Sequence, residues 1–287
     1  YLRDIPLPAA IRPVADRSAA LDGAARLLIA VPSHAFATTL EAIAPLMPPD
    51  LPVIGATKGL DTTAGGLLHE VAATRLPDHP LAVLSGPSFA REVAEGLPTA
   101  VVLAIGDRSM GEALSADFHD ERFRVYLSDD RIGVGLGGAV KNILAIATGI
   151  ADGLGFGVNA RSGLVTRGLA EIRRLGSRLG ADDRTLTGLA GLGDLMLTCT
   201  DDQSRNRRLG LALGRGTAID RATAGIGEVV EGIRTAEAVG RLARRMAVEL
   251  PICSAVESVV CGRTSPMDAA RALLARQPGR EFGDLPG

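Results

Sequence analysis

The run Arg26-Leu27-Leu28-Ile29-Ala30-Val31 sets the fold of the first half of the chain. Its apolar and β-branched residues predict a strand, and the stretch Ala35–Met47 predicts the helix that follows it. Further helices are predicted over Ala64–Arg75 and near Ser109–His119. The other predicted strands are Pro52–Ala56, Leu81–Leu84, Thr99–Ile105 and Arg122–Leu127. Strands that alternate with helices in this way predict βαβ units and a mainly parallel, doubly wound sheet.

The pattern changes from Gly133 onward, where Leu, Ala, Arg and Glu recur at helical spacing. The helices predicted there are Val134–Gly149, Asn159–Leu179, Gln203–Leu213, Gly232–Met246, Ile252–Cys261 and Pro266–Ala275. The fold class is therefore α/β followed by all-α. We expect an α/β domain over residues 1–131, a helical domain over residues 132–287, and a frayed tail over Gln277–Gly287.

Composition excludes several classes of function. The 287 residues carry a net charge of −2, with no Trp and few other aromatic residues, so neither nucleic acid nor an anionic membrane is an expected partner. The three cysteines lack C-x-x-C spacing, and the four histidines are scattered. This pattern indicates reduced thiols in the cytoplasm and no metal site. The most apolar stretch, Ile132–Val158, is interrupted by charges and predicts a buried helix, not a membrane span.

Lysine is rare in this chain: of 31 basic residues, only Lys58 and Lys141 are lysines. A guanidinium keeps its proton in a protein, whereas a partly buried ammonium group can shift its pKa and transfer one. The two lysines, each near glycines, therefore suggest an active site, with Lys141 as the candidate for proton transfer. The alternative is that both are chance survivors of Arg-biased codon usage.

Ligands of open parallel sheets bind beyond the carboxyl ends of the strands. Three predicted strand ends carry unusual loops, namely Val31–His34, Thr57–Gly59 and Ser85–Ala90. Glycine in the third loop allows a close backbone approach, and its small hydroxyls can donate to a phosphate. The alternative is a turn followed by a helix with Ser88 as its N-cap.

Two single charges stand in apolar surroundings. Lys141 is expected early in an apolar helix, and Asp194 lies in the glycine-rich run Leu189–Leu197. Because an isolated buried charge is costly, they suggest a buried Lys/Asp pair around a polar substrate. The alternative for Asp194 is a simple N-cap.

A helix start is expected around Thr200–Asn206, where backbone N–H groups with Ser204, Arg205 and Asn206 would form an anion pocket. The alternative is a solvated basic helical face, because Arg207 and Arg208 follow. Glu231 either accepts hydrogen bonds from a ribose or amide, or caps the next helix.

These segments resemble those of the bacterial-type NAD(P)-dependent glycerol-3-phosphate dehydrogenases. The matching motifs, in chain order, are V-P-S-H-A from Val31, T-K-G-L from Thr57, S-G-P-S-F-A-R-E-V from Ser85, G-G-A-V-K-N from Gly137, N-A-R-S-G-L-V-T-R-G from Asn159, G-L-G-D-L-M-L-T-C from Gly191, S-R-N from Ser204 and V-V-E-G from Val229. No single motif is decisive, but the ordered set is specific and runs from Tyr1 to about Ala275.

The resemblance implies hydride transfer between NAD or NADP and the pair dihydroxyacetone phosphate and glycerol 3-phosphate, in phospholipid synthesis. It also implies a Rossmann-like first domain, a 6-phosphogluconate-dehydrogenase-type helical domain and a homodimer. Lys141 would be the proton donor and acceptor. The residues implied to bind substrate are Lys58, Gly86, Ser88, Lys141, Asp194, Ser204, Arg205 and Asn206, and those implied to contact the cofactor are Lys58, Ala90, Arg205, Val229 and Glu231.

One feature of the family has no counterpart in the sequence. The family begins with a strand, a G-x-G-x-x-G-type loop and a helix, and this chain begins near the residues that follow the family's second strand. The family's opening segment, of roughly 30 residues or more, would bind the pyrophosphate and recognise the group at the ribose 2′ position. Without that segment, these 287 residues are expected to bind the cofactor weakly. The choice between NAD and NADP stays open for the same reason. Two alternatives remain: a related β-hydroxyacid dehydrogenase, and a non-catalytic protein that binds a phosphorylated metabolite.

Overall fold

The computed structural model describes residue 2 and residues 4–63, 65–227, 229–277 and 281. In the first half of the chain, five strands form one sheet with short helices between them. The strands are β1 (Leu27–Ile29), β2 (Val53–Gly55), β3 (Leu81–Ser85), β4 (Thr99–Ala104) and β5 (Phe123–Ser128). The helices are α1 (Arg17–Leu21), α2 (Ser33–Ile43), α3 (Leu68–Arg75), α4 (Ala90–Ala94) and α5 (Arg108–Phe118).

The strands lie side by side in chain order. β1, β2 and β3 are parallel, with Val53 paired to both Leu27 and Leu81, and β4 and β5 are also parallel. β3 and β4 pair antiparallel, with Leu84 opposite Leu103. The predicted mainly parallel sheet is confirmed, and each strand begins and ends within two residues of its prediction. The carboxyl ends of β1, β2 and β3 therefore share one edge, which is where such sheets bind ligands.

Two predicted helices differ at their ends. α2 ends at Ile43, and a 3₁₀ turn over Ala44–Leu46 follows, because Pro45 cannot donate the backbone hydrogen bond that would continue the helix. α3 begins at Leu68, after Gly65 with its φ of +68°; the predicted start at Ala64 lies outside the described residues.

The second half of the chain is helical. Its helices are α6 (Arg131–Gly153), α7 (Gly157–Leu179), α8 (Asp183–Thr187), α9 (Asp194–Thr200), α10 (Arg205–Gly214), α11 (Ile219–Ile226), α12 (Glu231–Met246), α13 (Pro251–Val260) and α14 (Pro266–Leu274). A π-helical turn over Leu189–Gly193 leads into α9. This arrangement confirms the predicted helical half, but α8, α9 and α11 were not predicted because each is only one or two turns long.

α6 is the central helix, and its residues from Gly133 to Ala151 are nearly all buried. Glycines bring its backbone against α10: a Cβ added at Gly149 would lie 2.2 Å from the carbonyl oxygen of Arg207, and one at Gly210 would lie 2.1 Å from that of Ile146. Among the described residues, α6 alone is long and apolar enough to cross a membrane, yet 94% of its most apolar 18-residue window is buried inside the protein. It is the predicted buried core helix.

α6 is longer than predicted at both ends. The Asp130 carboxylate accepts a hydrogen bond from the Gly133 N–H at 2.8 Å and caps the helix, which begins at Arg131, three residues before the predicted start at Val134. Lys141 therefore lies in the middle of α6, and not early in it. The domain boundary at residues 131 and 132 stays a prediction. Most of the tail predicted to fray, residues 278–280 and 282–287, lies outside the described residues.

Candidate active site

Lys58, Lys141 and Asp194 form one cluster between the edge of the sheet and the helical half. Lys58 follows β2, Lys141 lies in α6, and Asp194 begins α9. The Nζ atom of Lys58 lies 2.8 Å from Oδ2 of Asp194, and Nζ of Lys141 donates to Oδ1 of the same carboxylate. Asp194 is fully buried and Lys141 nearly so, whereas the side chain of Lys58 is 24% exposed. Both lysine nitrogens therefore open onto one shared acceptor, and Lys58 connects the cluster to solvent.

Two glycines of α6 make this cluster possible. A Cβ added at Gly138 would lie 2.6 Å from Oγ of Ser85 at the end of β3. A Cβ at Gly137 would lie 2.4 Å from the carbonyl oxygen of Ala190 in the π-helical turn. Such contacts are too short for a side chain, so only glycine lets α6 approach both the sheet and the turn. The approach brings Lys141, one helical turn beyond Gly138, to Asp194.

The buried cluster shifts the pKa values of both Lys141 and Asp194. Burial lowers the pKa of Lys141 to about 7, the charge of Lys58 acts in the same direction, and Asp194 opposes both. Burial alone would raise the pKa of Asp194, but the charges and hydrogen bonds of the two lysines outweigh it and hold that pKa below its ordinary value. Asp194 therefore stays ionised near neutral pH, while Lys141 can exist with or without its proton.

The loop after β3 contacts the cluster through its backbone. Nζ of Lys58 donates to the carbonyl oxygen of Gly86 at 2.8 Å, and Oγ of Ser88 donates to the same oxygen at 2.9 Å. Gly86 has a φ of +146°, and a Cβ there would lie 2.9 Å from Cα of Val101, so the position requires glycine. Ser88 is not a helix cap, because α4 begins at Ala90 with Phe89 at the N-cap position. Ala90 itself is exposed.

The start of α10 lies beside α6. Ser204 is the N-cap and accepts a hydrogen bond from the Arg207 N–H at 3.2 Å. Nδ2 of Asn206 donates to Oδ1 of Asn142 at 3.0 Å, so the Asn206 amide ties α10 to the residue that follows Lys141. Arg205 is half-buried at the first helical position.

The two arginines after Asn206 differ from each other. Arg207 is 7% exposed, and its guanidinium pairs with Asp152 at 2.5 Å and with Asp202 at 3.0 Å. Arg208 is exposed. The alternative of a solvated basic face therefore holds for Arg208 but is wrong for Arg207, which the carboxylates of α6 and of the preceding turn neutralise.

The first residue of α12, Glu231, contacts the first residue of α2, the helix that follows β1. The Glu231 carboxylate accepts hydrogen bonds from the N–H of Ser33, at 3.3 Å, and from its hydroxyl. Ser33 is the first residue of α2, so Glu231 does cap a helix, but a different one from the helix it begins. Val229, two residues before Glu231, is 36% exposed.

The site residues predicted from sequence fall into neighbouring groups. Lys58, Gly86, Ser88, Lys141 and Asp194 join in one hydrogen-bonded cluster. The segments of Ser204 and Glu231 are joined to each other, because the N–H of Gly232 donates to Oδ1 of Asn206 at 2.9 Å. They reach the cluster only indirectly, through the 3.0 Å bond from Asn206 to Asn142, the residue after Lys141.

Sequence reasoning missed three polar contacts of the site, made by Ser33, Asn142 and Thr198. The hydroxyl of Thr198 donates to the main-chain oxygen of Asp194 at 2.6 Å and lies 3.4 Å from its Oδ1. A spacing of four residues within one helix was the available signal for Thr198. Ser33 and Asn142 stand inside the quoted motifs, but only the fold shows what they contact.

A large cavity lies away from this cluster. It encloses about 1,380 Å³ among α7, α13 and α14, and none of Lys58, Lys141 and Asp194 lines it. The clustered charges, and not the size of a cavity, mark the candidate active site.

Comparisons with known proteins identify the family of this chain. Residues 1–111 match the family model described as NAD-dependent glycerol-3-phosphate dehydrogenase N-terminus, and residues 130–271 match the corresponding C-terminus model. The glycerol-3-phosphate dehydrogenase [NAD(P)+] of Halorhodospira halophila is 54% identical over 285 residues, which cover 99% of this chain and 85% of the relative. That of Alkalilimnicola ehrlichii is 57% identical over 281 residues, covering 98% and 84%.

Comparison with solved structures indicates the same family. The crystal structure of glycerol-3-phosphate dehydrogenase from Coxiella burnetii superposes with a TM-score of 0.93 at 48% identity, over 96% of this chain and 85% of that one. Sequence profiles, curated relatives and structure agree over nearly the whole chain, which belongs to the NAD-dependent glycerol-3-phosphate dehydrogenase family.

Proposed function

We propose that the protein catalyses the NAD(P)-dependent interconversion of dihydroxyacetone phosphate and sn-glycerol 3-phosphate. Family membership supports this reaction. The observation that carries it is the buried cluster in which Asp194 bridges two lysines. A site that reduces a ketone must supply one proton near neutral pH, and an amine with a pKa of about 7 at Lys141 suits that task.

Lys141 transfers the proton in this mechanism. In the direction of reduction, its ammonium group donates a proton to the oxygen that develops negative charge at C2 of the substrate. In the direction of oxidation, its neutral amine takes the proton from the C2 hydroxyl. A positioned acid or base of this kind contributes about 10²–10⁴-fold in rate. Asp194 fixes the position of the amine and balances its charge.

Lys58 and the start of α10 bind the substrate phosphate. Lys58 is the more exposed lysine of the cluster, and its ammonium group is anchored to Gly86 and Asp194. At α10, the positive end of the helix dipole and the Arg205 side chain favour an anion. Ser204, Asn206 and Ser88 complete the polar lining. Holding the phosphate at one end aligns C2 with Lys141, which is where proximity lowers the barrier.

The residues present fit a nicotinamide dinucleotide. Each oxygen of Glu231 accepts one hydrogen bond from Ser33, so each retains a lone pair for a ribose hydroxyl or an amide of the cofactor. Ala90 and Val229 are exposed, and Lys58 and Arg205 are half-buried, so all can contact a ligand. The bound cofactor supplies the hydride to C2 or accepts it from there. NAD and NADP are both retained as cofactors.

The cellular setting follows from the reaction. Glycerol 3-phosphate is the backbone precursor of glycerophospholipids, so the enzyme serves lipid metabolism. We place it in the cytoplasm, where its three free cysteines stay reduced. A homodimer is part of the same proposal.

A direct assay tests the proposal. The protein should oxidise NADH or NADPH when dihydroxyacetone phosphate is added, and reduce the oxidised cofactor when glycerol 3-phosphate is added, both followed at the nicotinamide absorbance. Turnover of a 2-keto acid but not of dihydroxyacetone phosphate would instead favour a related β-hydroxyacid dehydrogenase. Binding of the phosphate ester without turnover would favour a non-catalytic binding protein.

A further inference from the structure

The N-terminus of α2 has no cap from its own chain segment. Pro32 occupies the N-cap position, makes no side-chain hydrogen bond to the helix, and no acidic residue stands in the first turn. The first N–H groups of a helix need an outside acceptor. Glu231 supplies it from 198 residues away: Oε1 accepts the Ser33 N–H at 3.3 Å, and Oε2 accepts the Ser33 hydroxyl.

Close packing holds Ser33 in this position. The residue is 3% exposed, and Gly59, with a φ of +139°, lies directly against it. A Cβ added at Gly59 would come within 2.8 Å of Cβ of Ser33. Ser33 therefore has little freedom, and its two donors point at one carboxylate.

The backbone beside Glu231 is fixed from the other direction. The N–H of Gly232 donates to Oδ1 of Asn206 at 2.9 Å, and Nδ2 of Asn206 donates to Asn142 at 3.0 Å. Asn142 follows Lys141 in α6. An unbroken chain of contacts therefore runs from Ser33 through Glu231 to the residue next to the proton-transfer lysine.

We infer that Ser33 is a positioning residue for the cofactor. Its hydroxyl and N–H hold the Glu231 carboxylate in one orientation, and the lone pairs left on the two oxygens are the acceptors that a ribose hydroxyl or amide of the dinucleotide meets. An acceptor that is already oriented loses less conformational freedom on binding, so the affinity for the cofactor depends on Ser33 even without contact. This inference rests on the proposed function, because it takes Glu231 as a cofactor contact.

A binding measurement tests the inference without requiring turnover. Titration of NADH or NADPH, followed by cofactor fluorescence, should give a Kd about tenfold weaker for Ser33→Ala than for the unchanged protein, as expected for the loss of one hydrogen bond to a charged group. Ser33→Cys keeps the size but donates weakly, so it should show a similar loss and decides the matter if the alanine variant does not fold. The matched control is Thr38→Ala in the same helix, because the Thr38 hydroxyl donates to the carbonyl of Ala35 at 3.1 Å, within its own helix, and the Kd of this variant should stay within about twofold.

A double-mutant cycle separates positioning from a general loss of structure. If Ser33 acts through Glu231, then Ser33→Ala made in a Glu231→Ala background should change Kd by less than about twofold. Two outcomes would overturn the inference while leaving the proposed reaction intact. In one, the losses of cofactor affinity in the two single variants multiply in the double variant. In the other, the Kd is unchanged in both Ser33→Ala and Ser33→Cys. Tight cofactor binding with no turnover of glycerol 3-phosphate would contradict the proposed reaction but would leave the positioning role of Ser33 intact.

Discussion

Lys58 and Lys141 donate to opposite oxygens of a single carboxylate, that of Asp194. The three groups come from a strand end, the middle of the central helix and the start of a short helix. Two like charges on one buried acceptor lower the cost of deprotonating the more buried amine.

The activity of the enzyme should depend on pH through Lys141. The pKa of Lys141 is lowered to about 7 by burial and by the charge of Lys58. Reduction of dihydroxyacetone phosphate needs the protonated amine, so kcat/KM for reduction should fall as pH rises through about 7. Oxidation of glycerol 3-phosphate needs the neutral amine, so it should rise over the same range. Steady-state rates in both directions between pH 5.5 and 9, in roughly half-unit steps, check this. Parallel profiles in the two directions would contradict it.

Removing the charge of Lys58 should raise the pH at which the rates change with the protonation of Lys141. Lys58→Gln deletes the like charge that disfavours the ammonium form of Lys141, so we expect the kinetic pKa to rise by about one unit. The matched control is Lys58→Arg, which keeps the positive charge and should leave the transition near its original pH. Equal profiles for the glutamine and arginine variants would show that charge at this position does not tune Lys141.

Asp194→Asn should lower both turnover and stability. The substitution leaves two lysines beside a buried amide, and loss of one partner of a buried ion pair costs about 3–5 kcal/mol. Because Asp194 raises the pKa of Lys141, its loss should also move the kinetic transition to lower pH. Chemical unfolding measures the free energy. The control is Asp117→Asn, since Asp117 is 43% exposed in its pair with Arg26 and should cost less than about 1 kcal/mol.

The contact between α6 and α10 should require glycine at position 149. In Gly149→Ala, the new methyl carbon would stand 2.2 Å from the backbone oxygen of Arg207, which cannot move without separating the two helices. We expect a loss of about 1–3 kcal/mol in the free energy of unfolding, or more. Gly163→Ala is the matched control in α7: outside its two chain neighbours and the helix's own backbone, no atom of the described residues lies within 4 Å of the new Cβ, so the change should stabilise by about 0.5–1 kcal/mol. Equal effects at both positions would contradict the described packing.

Much of the fold and of the site could be predicted from the sequence. The strands could be predicted correctly because each is a short run of residues that favour β-structure. Because parallel strands end at the same edge of a sheet, the common edge of the first three strands could also be predicted. Lys141 and Asp194 could be paired from sequence alone because each is a single charge in an apolar, glycine-rich run. The rarity of lysine beside so many arginines pointed to Lys141 again, and to Lys58 as its neighbour in the site.

The remainder depends on contacts between distant residues. Nothing near Pro32 in the sequence indicates that Glu231 caps α2, because the two lie almost 200 residues apart. Glycines 137, 138 and 149 appear as turn signals or helix breakers in sequence, but in the structure they are contact points between backbones inside one long helix. The direction of the Asn206 amide, toward α6 and α12, likewise follows only from how three helices meet.

The most direct test of the central claim is the turnover number of Lys141→Arg. Arginine keeps the positive charge beside Asp194 but does not release a proton near neutral pH. With folding checked by thermal unfolding and cofactor affinity by titration, kcat for reduction of dihydroxyacetone phosphate at pH 7 should fall by about 10²–10⁴-fold. Turnover close to that of the unchanged protein would show that the amine of Lys141 is not the group that transfers the proton.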